Sequence, residues 1–170
     1  VIDLQNCYLQ KEPSNTIRLS VKKFADENGL TYFDIRNQNG FLRNLMIRTS
    51  STNNLMVLLQ FFENDKNKIN LLMKHLKTSF PEITSLLYVI NQKANDTIYD
   101  QKVICYNGEN HIMEEMDGLV FKIGAKSFFQ TNSEQAKILY RKVNEFAKIT
   151  ADDVVYDLYT GTGTIAQYVA

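Results

Sequence analysis

The feature that most constrains this chain is the stretch DVVYDLYTGTGTIAQYVA, residues 153–170. Its apolar start predicts a buried strand, an acidic residue and a glycine-rich turn follow, and TIAQYVA predicts the first turns of a helix. Gly161 and Gly163 let the backbone turn tightly and approach a ligand without interference from a Cβ atom. The amides at the start of the helix favour negative or polar ligand groups. Such a strand, turn and helix begin a nucleoside-binding α/β domain.

The residues around the turn narrow the choice of ligand. No lysine follows the glycines, which excludes a Walker phosphate-binding loop. Gly161, Gly163 and Ala166 fit the G-x-G-x-x-A fingerprint, so a dinucleotide stays open. Asp157, however, lies four residues before Gly161. Acid-x-x-x-Gly-x-Gly is the arrangement found in S-adenosylmethionine (SAM) methyltransferases, so the turn favours SAM over a dinucleotide.

The residues upstream of the turn predict an α+β region. One helix is predicted from Ser14 to Asn28-Gly29, and a second from Asp65 to Phe80-Pro81, where the proline disfavours a helical residue before it. The alternation of helices with runs of strands predicts a mostly antiparallel sheet with helices. The predicted strands are a short one at 1–9 and the stretches TYFDI, FLRNLMIRT, NLMVLLQFF, TSLLYVINQ, QKVICYNG and GLVFKIG.

A third helix is predicted after Asn132 or Ser133, and it marks a change in character along the chain. Its apolar stripe comprises Ala136, Leu139, Tyr140, Val143, Phe146 and Ala147. We expect a domain boundary between about residues 117 and 132. Residues 1–120 would form the central α+β domain, and residues 121–170 the N-terminal part of a Rossmann-like α/β domain.

Two motifs carry a resemblance to a known family. AKSFFQTNSEQAKILY (125–140) and DLYTGTGTI (157–165) resemble the SFFQ-x-N segment, the QAxxLY helix and the DLYCGTGTI-type loop of RNA uracil-5-methyltransferases. GFLRNLMIR (40–48) is similar to that family's G-x-L-R-x-x-x-x-R strand, and VIDLQNC (1–7) to its V-D-x-x-x-C segment. The resemblance covers most of the chain. It implies a central domain followed by the start of a SAM-dependent methyltransferase domain, so we expect the chain to be a truncated piece of a longer protein.

The resemblance also implies a cofactor site. Gln130 corresponds to a glutamine that contacts SAM, Tyr159 to an aromatic residue alongside the cofactor, and Thr164 to another contact position. Thr160 replaces the usual cysteine, and we expect little effect because the backbone shape matters most there. The predicted cofactor-binding residues are Gln130, Asp157, Tyr159, Gly161, Gly163 and Thr164.

The RNA contacts follow from the same segment. Phe128 aligns with an aromatic residue near the target base, and an aromatic face can stack on a splayed base. Phe128 and Phe129 alternate along an extended segment, so one of them is expected to belong to the core. Lys126, beside them, is predicted to meet an RNA phosphate.

The reaction implied by the resemblance is methyl transfer to carbon 5 of a uridine in RNA. The match of Cys7 to a cluster ligand favours 23S ribosomal RNA, and transfer RNA stays open as the alternative substrate. A cysteine thiolate adds to carbon 6, the resulting enolate attacks the SAM methyl group, a base removes the carbon-5 proton, and the thiolate leaves. In the family, the nucleophilic cysteine and the base lie well downstream of the SAM loop, beyond Ala170 here. We therefore expect the 170-residue chain alone to be inactive and to bind SAM feebly.

The two cysteines are interpreted separately. By the resemblance, Cys7 matches the distant fourth ligand of a 4Fe-4S cluster, whose other three cysteines would precede Val1. Cys105, in the apolar strand KVICY, is expected to be core. Their separation, with no CxxC spacing, is typical of a reduced protein and predicts a cytoplasmic location.

Composition bears on the partners and leaves two alternatives open. Lysine plus arginine equals aspartate plus glutamate at 19 each, so RNA binding has to rest on local clusters. No apolar run approaches the roughly 20 residues of a membrane span, and no obligate protein partner is inferred. A non-catalytic RNA-binding module and a dinucleotide-dependent oxidoreductase remain alternatives to the methyltransferase.

Overall fold

The computed structural model describes residues 3–170, which form four helices and six strands. A four-stranded sheet has the order β1-β2-β3-β4, and its β2–β3 pair is parallel while the other two pairs are antiparallel. Strands β5 and β6 form a separate antiparallel hairpin. In chain order the elements are α1 (Ser14–Glu27), β1 (Leu42–Thr49), β2 (Leu55–Phe61), α2 (Lys66–Ser79), β3 (Ser85–Ile90), β4 (Ile104–Gly108), β5 (His111–Met116), β6 (Leu119–Gly124), α3 (Ser133–Ala147) and α4 (Thr164–Val169).

Strand β2 lies at the centre of the molecule and is buried along its whole length. Successive side chains of a strand point to opposite faces of the sheet. Leu55, Val57 and Leu59 accordingly join a core with α1 and α2 on one face. Met56 and Leu58 join a second core on the other face. Because both faces are covered, β2 is a nearly continuous apolar run rather than an alternating one.

The second core joins the sheet to the C-terminal part of the chain. It contains Leu87 from β3, Phe121 from β6 and Tyr140 from α3. Its members therefore come from both sides of residue 120. The α+β class is confirmed and the four-stranded sheet is mixed, whereas the division into domains at residue 120 stays a prediction.

Local signals located the first two helices correctly. The Asp65 side chain accepts hydrogen bonds from the amides of Asn67 and Lys68, and so caps the N-terminus of α2. Phe80, the residue before proline, ends that helix. The face predicted for α2 is fully buried, and it comprises Ile69, Leu72, Met73 and Leu76.

Several sequence predictions are wrong in the described chain. TYFDI makes only isolated bridges, because the Asp34 carboxylate accepts from the amides of Arg36 and Asn37 and turns the chain. Cys105 lies in β4, yet its side chain is exposed because β4 is an edge strand. For the predicted strand at 1–9, Val1 and Ile2 lie outside the described residues, and residues 3–9 form no strand.

The C-terminal predictions are only partly correct. Asn132 caps α3 as predicted, its side chain accepting from the amide of Gln135. Only Ala136 and Tyr140 of the predicted apolar stripe are buried, because little covers the far end of the helix. The predicted strand VVYDLY (154–159) is wrong: these residues form no strand and are largely exposed, and no strand of the described chain pairs with them. Among the helices of residues 3–170, none combines the length and apolar composition that crossing a bilayer needs.

Candidate functional site

The glycine-rich turn is closed by the Asp157 carboxylate. Its Oδ2 accepts from the Thr160 hydroxyl at 3.0 Å and from the Ala166 amide at 3.3 Å. The Gly163 amide donates to the Thr160 carbonyl at 2.7 Å, which tightens the turn further. The acid predicted from its spacing therefore links the turn to the first turn of α4.

Gly163 is required by the backbone at the start of α4. Its φ is +74°, in the left-handed region that L side chains rarely adopt. A Cβ atom there would also lie 3.2 Å from Nε2 of Gln167. Gly161 has a φ of +56° and shares this conformational demand. Both predicted glycines thus occupy positions that favour glycine.

The turn contacts the segment that carries Phe128 and Gln130. The Thr162 hydroxyl reaches the Phe128 carbonyl oxygen at 3.5 Å and lies 2.8 Å from the Thr164 hydroxyl. Thr164 itself is buried. The two motifs of the sequence, separated by about thirty residues, are therefore adjacent in space.

Arg48 holds this segment in place from strand β1. Its Nη1 donates to the Ser127 carbonyl at 2.8 Å and to the Gly124 carbonyl at 3.3 Å. The Ser127 hydroxyl accepts from the Gly124 amide, so residues 124–127 form a compact turn. Burial lowers the pKa of the Arg48 guanidinium from its ordinary value. Arg48 was assigned no role of its own from the sequence, although its place at the end of the G-x-L-R-x-x-x-x-R strand was a usable signal.

The two phenylalanines divide as expected. Phe129 packs against the second core, with its ring centroid 5.8 Å from that of Phe121. Phe128 is 69% exposed beside the turn. Phe128 is therefore the one of the pair that is free to stack on a base.

The other predicted contacts lie at the surface around the turn. Gln130 and Tyr159 are exposed, and Tyr159 has a φ of +66°. Lys126 is exposed as well, and its Nζ donates to the Tyr99 carbonyl at 2.8 Å. The roles of these three side chains towards cofactor and RNA stay predictions.

Cys7 lies apart from the turn, against α1. Its amide donates to Oδ1 of Asn15 at 2.9 Å, and Nδ2 of Asn15 donates back to its carbonyl at 3.2 Å. It lines a cavity of about 700 Å³ together with Arg18 and Tyr32. Within residues 3–170, no group of three or more His, Cys, Asp or Glu side chains is arranged to hold a metal ion. A 4Fe-4S cluster takes four thiolates, so these residues do not fit one by themselves, and Cys7 as a ligand stays a prediction.

Comparison with known proteins places these features in context. No family model matches the chain. It is 54% identical over 172 residues to an uncharacterized RNA methyltransferase of Porphyromonas gingivalis, covering 100% of this chain and 37% of that protein. It is 50% identical to an uncharacterized RNA methyltransferase of Bacteroides thetaiotaomicron, covering 100% of this chain and 38% of that one. The chain thus spans little more than a third of the length of these curated relatives.

A solved structure gives a more specific similarity. The Pyrococcus abyssi tRNA (uracil-54, C5)-methyltransferase, in complex with S-adenosyl-L-homocysteine, matches with a TM-score of 0.77 and 27% identity. The match covers 100% of this chain and 41% of the archaeal chain. The relatives and this structure together confirm the resemblance to the RNA uracil-5-methyltransferase family.

Proposed function

We propose that this chain is part of a SAM-dependent methyltransferase that forms 5-methyluridine in RNA. The observation that carries the proposal is the structural match, over the whole of this chain and 41% of the other, to the archaeal tRNA (uracil-54, C5)-methyltransferase, which was solved with S-adenosyl-L-homocysteine. The contact between the glycine-rich turn and the Phe128 segment supports it. The turn would then bind the cofactor, and the neighbouring Phe128 segment would bind the RNA nucleobase.

The residues of the turn suit a cofactor with an amino acid moiety. SAM, when bound, supplies an electrophilic methyl group. Asp157 uses Oδ2 for the turn and Ala166, which leaves Oδ1 to accept from the ligand's ammonium group. Gly161 and Gly163 let the ligand approach the main chain closely. Gln130, Tyr159 and Thr164 are the proposed additional contacts.

The proposed RNA-binding side of the site is formed by exposed side chains next to the turn. We assign Phe128 to stacking on the target or a neighbouring base, because its ring is solvent-accessible while Phe129 packs in the core. We assign Lys126 to an RNA phosphate, since one of its three N–H donors is used by Tyr99 and two remain.

Two RNA substrates are to be compared. The match of Cys7 to a cluster ligand favours 23S ribosomal RNA, which is the substrate we propose. The archaeal relative acts on transfer RNA, and this keeps transfer RNA as the second candidate.

The test uses the full-length protein. It is incubated with methyl-labelled SAM and, separately, with unmodified 23S ribosomal RNA and unmodified transfer RNA, and the nucleosides are analysed by mass spectrometry. We expect label in 5-methyluridine, predominantly from ribosomal RNA. Label in transfer RNA alone would reverse the choice of substrate, and label in another nucleoside or in none would refute the proposed reaction.

A matched pair of aspartates tests the cofactor site in the same protein. Asp157→Asn removes the charge that faces the ligand while retaining the shape. Because a hydrogen bond to a charged group contributes about 1.5–3 kcal/mol, the KM for SAM should rise roughly 10- to 100-fold. Asp152→Asn, at an exposed position outside the turn, should leave that KM unchanged. Equal effects of the two substitutions would contradict the assignment of Asp157.

The 170-residue chain alone is proposed to lack activity. Its two cysteines are Cys7, held against α1, and Cys105, on the edge strand β4. Neither is in contact with the turn, so neither suits the role of nucleophile. Residues 154–159 are also unpaired, so the turn is formed but no sheet fixes the segment that leads into it, and ordering that segment would cost binding free energy. Micromolar SAM binding by this chain in calorimetry would contradict the second point.

A further inference from the structure

Residues 91–103, which connect β3 to β4 and are called the Tyr99 loop below, are held by a buried asparagine. Asn91 is fully buried, and its Nδ2 donates to the carbonyls of Asn95 and Thr97, each at 3.2 Å. Its Oδ1 accepts from the Lys93 amide at 3.1 Å. One side chain thus fixes the first half of a segment that has no helix or strand of its own.

Arg43 fixes the same half from outside. Its guanidinium donates to the carbonyls of Asn91 at 3.0 Å and Lys93 at 2.6 Å, and it lies 4.4 Å from the centroid of the Phe33 ring. Lys93 in turn bonds to Asp100 across the loop. An ordered loop of this length costs conformational entropy, and such loops commonly carry function.

The second half of the Tyr99 loop presents an aromatic side chain to solvent. Ile98 packs against the second core, whereas its neighbour Tyr99 is 71% exposed. Lys126 donates to the Tyr99 carbonyl at 2.8 Å, which joins the loop to the segment that carries Phe128. Arg48 donates to the carbonyl of Ser127, the residue next to Lys126, so a second cation holds the segment that the Tyr99 loop contacts.

Two cations next to the contact between Lys126 and the Tyr99 loop have no carboxylate partner in the described chain. Within residues 3–170, neither Arg48 nor Lys126 has a carboxylate partner within 4.0 Å. Of the two acids in the Tyr99 loop, Asp100 is paired with Lys93 and Asp96 is exposed to solvent. Two exposed aromatic rings, Tyr99 and Phe128, therefore accompany two cations that no carboxylate neutralises. Aromatic faces beside cations are what single-stranded nucleic acid binds.

We propose that Tyr99 is an RNA-positioning residue, whose ring stacks on a nucleotide flanking the target uridine while Lys126 meets the adjoining phosphate. This proposal rests on the proposed function for the identity of the target base. The Tyr99 loop is then a preformed edge of the RNA site, fixed by Asn91 and Arg43 before RNA arrives. Preorganisation of this kind lowers the entropic cost of binding.

The experiment measures RNA methylation by the full-length protein with the side chain at position 99 varied. Tyr99→Ala and Tyr99→Leu should each raise the KM for RNA about 5- to 100-fold, because stacking on a base is lost. The KM for SAM should not change. Tyr99→Phe should stay within about twofold of the wild type, because the aromatic face is kept. Tyr8→Ala, at another exposed tyrosine in the N-terminal segment, is the matched control and should have no effect.

The outcomes separate this proposal from the proposed function. An active wild type with an unchanged KM for RNA in Tyr99→Ala overturns the role of Tyr99 and leaves the methyltransferase standing. Recovery of RNA binding in Tyr99→Leu would show that apolar volume suffices and would also overturn stacking. If the wild type forms no 5-methyluridine, the proposed function fails. The same variants in a SAM-free filter-binding assay with single-stranded RNA then decide the stacking role by itself.

Discussion

Strand β2 and residues 154–159 are both apolar stretches that the sequence predicts to be strands, and only β2 is one. β2 lies between β1 and β3 and carries a hydrophobic core on each face. Residues 154–159 pair with nothing in the described chain, and Val154, Tyr156 and Leu158 are exposed. An apolar pattern indicates that the side chains of a segment are suited to burial in a sheet. Whether it joins one depends on neighbours that hydrogen-bond to it.

The turn that follows residues 154–159 forms nonetheless. The bonds of Asp157 to Thr160 and Ala166 span three and nine residues, so they need no distant partner. Strand pairing across a parallel sheet is non-local and needs a crossover connection. The turn after Asp157 is therefore formed, whereas the segment before it, residues 154–159, is not paired in a sheet.

The largest expected effect is on the free energy of unfolding, when a leucine is replaced by alanine in β2 and, for comparison, in residues 154–159. Leu58→Ala removes a fully buried side chain and should lower the free energy of unfolding by about 2–5 kcal/mol. Leu158→Ala, at a side chain that is 77% exposed, should change it by less than about 0.5 kcal/mol. Urea denaturation of the 170-residue chain measures both values. Equal losses would show that residues 154–159 are packed after all.

The same two substitutions, made in the full-length protein, test whether residues 154–159 become a buried strand there. If the proposed function is correct, additional strands pair with residues 154–159 and cover Leu158. Leu158→Ala should then cost about 2 kcal/mol or more, approaching the loss in Leu58→Ala. A Leu158→Ala loss that remains negligible in the full-length protein would argue against a Rossmann-like sheet around this segment.

A smaller effect on the free energy of unfolding is expected at Arg48, which connects strand β1 to the segment beside the glycine-rich turn. Arg48→Met leaves the carbonyls of Gly124 and Ser127 without their donor. Because the guanidinium is only partly buried, we expect a loss of about 1–2 kcal/mol in unfolding free energy. Hydrogen exchange of residues 124–130 should also become faster. Arg36→Met is the control, since that side chain is exposed, and comparable losses in both variants would refute the positioning role.

The smallest effect concerns an exposed cluster that attaches α3 and α4 to the β5–β6 turn. The Tyr168 hydroxyl and the Arg141 guanidinium both donate to the Asp117 carboxylate. These two donors, Tyr168 first, hold the pKa of Asp117 below its ordinary value of 3.8.

A pKa that folding lowers adds stability above the ordinary value, and this stability is lost as the pH falls through the folded value. The wild type should therefore exceed Asp117→Asn in unfolding free energy at pH 7, with the difference vanishing well below pH 3.8. Denaturation curves at several pH values measure this difference. A difference that grows in acid would contradict the assignment, and Asp96→Asn, at an exposed position, serves as the control.

Features governed by neighbouring residues were predictable from the sequence. The cap at Asp65, the end of α2 at Phe80 and the cap at Asn132 all depend on residues within a few positions. The β5–β6 hairpin could also have been predicted, because Asp-Gly is a strong signal for a two-residue hairpin turn. In the structure, Asp117 and Gly118 have the positive φ values of such a turn, +50° and +84°. Strand β5 was nevertheless missed, because its sequence HIMEEM has little β-branched character.

Long-range contacts could not be predicted in the same way. Arg48 reaches Ser127 across 79 positions, and Lys126 reaches Tyr99 across 27. Nothing in the local sequence of Arg48 shows that it holds a distant turn rather than a phosphate. The Arg48 guanidinium on strand β1 is used within the protein, and the aromatic ring at position 99 carried no signal.

The sequence by itself determined the helices and their caps, the turn after Asp157 and its glycines, and the resemblance to RNA uracil-5-methyltransferases. Each of these depends on the backbone preferences or the order of neighbouring residues. The tertiary structure alone decided which apolar segments became strands, and it brought Arg48 to the Ser127 carbonyl and Lys126 to the Tyr99 carbonyl. The physical reason is that burial and strand pairing depend on which surfaces meet, and residues far apart in the chain supply those surfaces.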